Sequence, residues 1–192
     1  MLKKMVIESL KILPLSFLER LNQISFLPTK VSHLLRWTLV GRDITLKRGV
    51  AKGLKFNSGD YNPDTALGTY ELPIQEAMQK HLKSGDVFYD IGANIGFFTT
   101  ISASLVSQSG QVYSFEPVPE NASALKHNIQ INSFSNVDIV DKAVSKESGK
   151  GELLLGDYCG SHTLSTTDQS SRPKKYQSKI SVDIVSIDNL ID

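Results

Sequence analysis

Two carboxylates and two glycines carry the chemistry that can be read from this sequence. Asp90 stands in the apolar run Val87-Phe88-Tyr89-Asp90-Ile91, Gly92 and Gly96 follow it, and Glu116 closes a second run, Gln111 to Phe115. Glycines directly after a strand let the backbone turn sharply and approach a ligand closely. Carboxylates at strand ends attract a cation and accept hydrogen bonds from sugar hydroxyls. A dinucleotide fingerprint needs Gly-x-Gly-x-x-Gly, its middle glycine bare for the pyrophosphate. Here the order is Gly92-Ala93-Asn94-Ile95-Gly96, with a side chain in that place. Asp90 would also repel a pyrophosphate, whereas it suits a ligand carrying an ammonium and a sulfonium. S-adenosylmethionine therefore fits these residues better than NAD, and Glu116 is placed to accept hydrogen bonds from both ribose hydroxyls.

Holding these groups together requires a strand, a turn and a helix in succession. Val87, Phe88, Tyr89 and Ile91 read as a buried strand, and Phe97, Ile101 and Leu105 recur every four residues, on one face of a helix. Gln111 to Phe115 then supplies the second parallel strand of a βαβ unit. Pro119 opens another helix with Ala122, Leu125 and Ile129 turned to the sheet, and Val137 to Val144 forms a third strand. Upstream, Pro73 starts a helix whose buried face is Ile74, Ala77, Met78 and Leu82, and Gly85 ends it. Downstream, Glu152 to Leu155 and Lys179 to Ile187 read as peripheral strands separated by a polar loop. That loop contains Tyr158, Cys159, Ser161 and His162. His162 is a candidate general base there, against the plainer reading of a surface loop.

The stretches Leu67-Gly68-Thr69-Tyr70-Glu71, GDVFYDIGANIGFFT (85–99) and YSFEPVPEN (113–121) together resemble the FkbM family of S-adenosylmethionine-dependent methyltransferases. The resemblance runs from about residue 67 to the C-terminus and is densest between 85 and 144. It implies an α/β, Rossmann-like methyltransferase sheet acting on a hydroxyl of a small molecule or glycan. It also implies that Tyr70 and Glu71 lie close to the cofactor and that Asp141 lies near the adenine. With the residues of the two motifs, Asp90, Gly92, Ala93, Asn94, Gly96, Phe97, Glu116 and Pro117, these make the expected cofactor site. No catalytic base is assigned. The readings from other classes are a non-catalytic cofactor-binding or interaction module and an NAD-dependent enzyme.

The resemblance also implies that a strand ending in a Lys-Ile-Asp-Val-Glu-Gly-like motif lies beside the first strand, and nothing in the sequence matches it. The expectation is thus a chain incomplete at its C-terminus, poorly soluble and negligibly active, with residues 67–192 as the first half of the methyltransferase domain. Residues 1–66 are expected to be a helical and hairpin extension.

Charge separates that extension from the rest. The formal net charge is +1, yet residues 1–56 hold eleven Lys or Arg against three acids, and residues 57–192 hold ten against seventeen. Leu2, Val6, Leu10 and Leu13 make an apolar stripe with Lys3, Lys4 and Lys11 off it, fit to pack on the domain or to lie on an anionic membrane. Residues 43–57 alternate around Gly49 and Gly53, as a hairpin would. No nucleic-acid-binding motif accompanies the basic residues. His33, His81 and His127 have no metal-ligand spacing, so no metal is expected. No run approaches a membrane span, the first residues make a poor secretory signal, and Cys159 is alone, which points to a cytoplasmic protein.

Overall fold

The computed structural model describes residues 9–10, 12–14, 16–17, 20, 37–156, 162–164 and 178–188. Leu2, Val6 and the lysines of the basic stripe, and Tyr158, Cys159 and Ser161, lie outside the described residues. Among the described residues no helix is long and apolar enough to cross a membrane. The chain divides into two compact units, one of residues 1–81 with 130–133, the other of 82–129 with 134–192.

In the first unit, β1 (Ile44–Thr45) pairs antiparallel with β2 (Lys55–Phe56), the hairpin expected from the alternation around Gly49 and Gly53. Two helices follow, α1 (Pro63–Leu67) and α2 (Leu72–His81). Asn62 caps α1 by accepting from the Asp64 amide, and Gly68 ends it in the left-handed conformation at φ 74°. The buried face of α2 differs from the sequence expectation. Gln75 is fully buried along with Met78, whereas Ile74 is 46% exposed.

The cause is a hydrogen-bonding role that hydrophobic periodicity does not register. Gln75 Nε2 donates to the carbonyls of Gly68 and Tyr70 at 3.2 and 2.6 Å, and its Oε1 accepts from the Val50 amide at 2.9 Å. One amide thus ties both helices to the hairpin. Gln75→Ala should destabilise the protein by about 2–4 kcal/mol, because it leaves buried backbone groups unpaired. Urea unfolding measures this, and a loss below about 1 kcal/mol would mean that water replaces the amide.

The second unit begins with a three-stranded parallel sheet, β3 (Val87–Ile91), β4 (Gln111–Phe115) and β5 (Val137–Val140), in that order. Helices α3 (Phe97–Val106) and α4 (Pro119–Ile131) make the crossovers, giving the β-α-β-α-β succession of a Rossmann-like half-sheet. Phe88, Val112 and Val137 pack with Ala103 and Val106, and Val137 and Ile139 with Leu125 and Ile129. On the opposite face Tyr89 stacks on Tyr113 with ring centroids 5.3 Å apart. β3 is not the buried strand its composition suggests. Among the described residues it is an edge of this sheet, with Val87 and Ile91 each 55% exposed.

The expected third strand, Val137 to Val144, is two. Lys142 donates back to the Val140 carbonyl at 2.8 Å, a kink at the exposed pair Asp141-Lys142 that sends β6 (Ala143–Val144) into a second sheet. That sheet has the order β6-β9-β7-β8, with β7 Gly149–Leu155, β8 Thr163–Leu164 and β9 Ser178–Val185. β9 runs parallel to β6 and antiparallel to β7. Val118, Ala143, Leu153 and Val182 form its core.

Candidate cofactor site

The turn after β3 is built by backbone bonds to the neighbouring strand. The amides of Gly92 and Ala93 both donate to the Phe115 carbonyl, at 2.9 and 3.0 Å, so the chain folds over the end of β4. Gly92 has φ 79° and Asn94 φ 52°, left-handed values that glycine adopts freely and asparagine tolerates best among the others. The two glycines do different work. A Cβ on Gly92 would meet nothing within 4 Å, so this residue borders open space, whereas one on Gly96 would sit 2.9 Å from Leu125 Cγ. Gly96 therefore lets α4 pack against the start of α3. Ala93 and Phe97 are buried, at 7% and 4% exposure, and Ala93 packs with Leu125 and Ile129.

Glu116 locks this turn. Its Oε2 accepts from the Asn94 amide at 2.8 Å, and its Oε1 from the Val118 amide at 2.9 Å and Asn121 Nδ2 at 3.4 Å. Burial pushes its pKa up, those three hydrogen bonds pull it back, and the nearby charge of Asp90 adds a further rise. Asp90 is pushed up by burial as well, opposed by its hydrogen bond from Thr99 at 2.5 Å. A buried carboxylate beside a half-buried one, the second raising the cost of ionising the first, makes a site that a cation would relieve.

Gly92, Asn94, Glu116 and Pro117 line one cavity of about 310 Å³, at the small end of the range for ligand sites. Its other wall comes from Lys142, Ala143, Leu153, His162 and Leu164 of the second sheet and its loop. Asp90 lies beneath the turn and does not line it. Asp141 borders a neighbouring cavity of about 1000 Å³, with Pro117, the first turns of α4 and parts of β7 and β9. Tyr70 and Glu71 belong to the first unit. There the Tyr70 hydroxyl lies 3.5 Å from that of Tyr61, and burial raises the Tyr70 pKa. The Glu71 carbonyl accepts the opening bonds of α2, from the amides of Ile74 and Gln75.

His162 lines the cavity. The Gly156 amide donates to its Nδ1 at 3.2 Å and burial lowers its pKa. Both favour the neutral imidazole, with Nδ1 as the acceptor of that bond. Lys142, Thr99 and Ser114 were not singled out from the sequence. The signal for the last two is a hydroxyl residue at an inward position of an otherwise apolar element. Among the described residues no group of His, Cys, Asp and Glu could hold a metal ion.

A parallel half-sheet with a glycine turn and carboxylates at two adjacent strand ends defines a Rossmann-like cofactor-binding protein. The family profile described as "Methyltransferase FkbM domain" matches residues 90–192, more than half of the sequence, and the chain belongs to that family. It is 29% identical over 78 residues to protein-L-isoaspartate O-methyltransferase 2 of Archaeoglobus fulgidus, covering 38% of this chain and 36% of that one. It is 25% identical over 103 residues to protein-L-isoaspartate O-methyltransferase of Methanococcus aeolicus, covering 54% and 39%. The chain thus spans less than two fifths of the length of either relative. A solved S-adenosylmethionine-dependent methyltransferase from Aquifex aeolicus aligns over 39% of each chain, with 20% identity and a TM-score of 0.35.

Proposed function

We propose that the chain binds S-adenosylmethionine at the glycine turn and serves an enzyme that methylates a hydroxyl of a small molecule or glycan. The observation that carries this reading is a pair of carboxylates, the half-buried Asp90 and the buried Glu116, set around a turn whose Gly92 faces open space. Bound there, S-adenosylmethionine would supply an electrophilic methyl group on a cationic sulfur. Its positive charge offsets the cost of holding two anions close together, which the diphosphate of NAD would instead increase. Gly92 leaves the space that the cofactor needs. Glu116, fixed by the Asn94 and Val118 amides, presents a carboxylate to the ribose hydroxyls. For Tyr70, Glu71 and Asp141 a role at the cofactor rests on the family resemblance. The protein's contribution to rate is orientation of donor and acceptor in line, with the acceptor proton lost to a base or to solvent.

Calorimetric titration with S-adenosylmethionine and with NAD tests the cofactor. Binding of the first alone is expected, and binding of NAD alone would overturn the reading. Incorporation of labelled methyl into glycans and small hydroxyl compounds then tests the acceptor class. Cofactor binding without incorporation into any acceptor would leave a non-catalytic module.

A further inference from the structure

Three hydroxyl residues of α3 are buried, and two of them do what helical hydroxyls ordinarily do. Thr100 donates to the Gly96 carbonyl at 2.7 Å and Ser102 to the Thr99 carbonyl at 3.0 Å. Thr99 instead leaves the helix. Its Oγ1 donates to Asp90 Oδ2 at 2.5 Å and accepts from Ser114 Oγ at 3.1 Å. Thr99 and Ser114 are both fully buried, and Ser114 stands directly opposite Asp90 in the β3–β4 register. Each hydroxyl has one proton to give, so the chain of donors runs one way, from Ser114 through Thr99 to the carboxylate. Three separate elements thus converge on one anion beneath the glycine turn.

We propose that Thr99 is a positioning residue of the cofactor site: its hydroxyl, itself held by Ser114, fixes the Asp90 carboxylate as an anion at the foot of the turn. This rests on the reading that the charge of Asp90 assists a cationic cofactor. A hydrogen bond donated to a carboxylate favours the ionised form, and here it works directly against burial. Among the described residues no other side chain is seen to take that part. α3 carries no titratable residue, and β4 carries only Tyr113, on the opposite face of the sheet. The remaining charged group set against Asp90 is Glu116, and it acts in the opposite sense, disfavouring a second anion.

The test is calorimetric binding of S-adenosylmethionine between pH 5 and 8, in the full chain and in four variants whose folding is checked by thermal melting. Thr99→Val keeps the shape and removes the donor. It should weaken the cofactor about tenfold at neutral pH and move the acid limb of the affinity profile upward, because Asp90 would then protonate more readily. Thr99→Ser should restore both the affinity and the position of that limb. Asp90→Asn should bind weakly and lose the part of the acid limb that belongs to Asp90. Weak binding by Asp90→Asn with wild-type affinity and profile in Thr99→Val would overturn the positioning role alone. Unchanged binding by Asp90→Asn would overturn the reading of the site beneath it. If Thr99→Val does not fold, Ser114→Ala decides the matter. A weaker cofactor and a raised acid limb support the role, and an unchanged profile defeats it.

Discussion

Glu116→Ala should bind S-adenosylmethionine at least tenfold more weakly than the unaltered protein and also melt at a lower temperature. Both effects come from one side chain with two sets of partners. Toward the protein, its oxygens hold the Asn94 and Val118 amides and the Asn121 side chain, so removing it unties the turn from the start of α4. Hydrogen bonds to a charged group are worth about 1.5–3 kcal/mol each, from which the cost of burying the charge is subtracted, leaving a net loss of about 1–3 kcal/mol. Toward the ligand, the loss of acceptors for two ribose hydroxyls accounts for the tenfold. Glu116→Gln is not the mild alternative its shape suggests. One end of the new amide is a donor, and it must face a backbone N–H that is also a donor.

The pH dependence separates these two roles. Burial raises the folded-state pKa of Glu116 above its ordinary 4.5, so the folded chain holds a proton that the unfolded chain releases. The proton-linked part of its contribution to stability is therefore full below about pH 4.5 and is lost as the pH climbs through the raised folded value, while the hydrogen bonds that tie the turn remain. Cofactor affinity should run the other way, rising through the same window as the carboxylate ionises. Thermal melts without ligand and titrations with it, across that window, should cross in sign. Unchanged affinity in a folded Glu116→Ala would sink the ribose assignment.

Gly92→Val should abolish cofactor binding while the protein still folds. A Cβ at this position meets nothing within 4 Å, so the new side chain fills only the space left for a ligand. Its backbone cost is real, since φ 79° is a left-handed value that disfavours a branched residue by roughly 1–2 kcal/mol. The two amide bonds to the Phe115 carbonyl involve no side chain and survive. Gly96→Ala is the contrasting control. Its methyl would press on Leu125 from 2.9 Å, so it should lower the melting temperature more than it lowers affinity. Tight binding by a folded Gly92→Val would place the pocket elsewhere.

Legibility in the sequence followed the range of the interactions. β4 at Gln111–Phe115 and the inward Ala122, Leu125 and Ile129 of α4 were readable, because a strand or a helix face is specified by its own residues. The glycine turn was readable for the same reason. Gln75 was not, since its three partners lie on the hairpin and between the helices, and an amide on a helix carries no mark of what it will meet. The break at Asp141-Lys142 escaped because the alternative pairing partner, β9, is distant in sequence. At the site, Asp90 and Glu116 announced themselves as charges in apolar surroundings. The Ser114-Thr99 pair that supports Asp90 depends on a strand register and a helix position together.

The position of β3 at the edge of its sheet has a consequence for isotope exchange. Backbone amides alternate in direction along a strand, and in this register the Gly92 amide points to β4. Those of Phe88 and Asp90 therefore share that side, and those of Val87, Tyr89 and Ile91 point the other way. In deuterated buffer β3 should take up label with a two-residue period, Val87, Tyr89 and Ile91 fast and their neighbours slow. Uniformly slow exchange along the strand would reveal that something else pairs with that edge in solution.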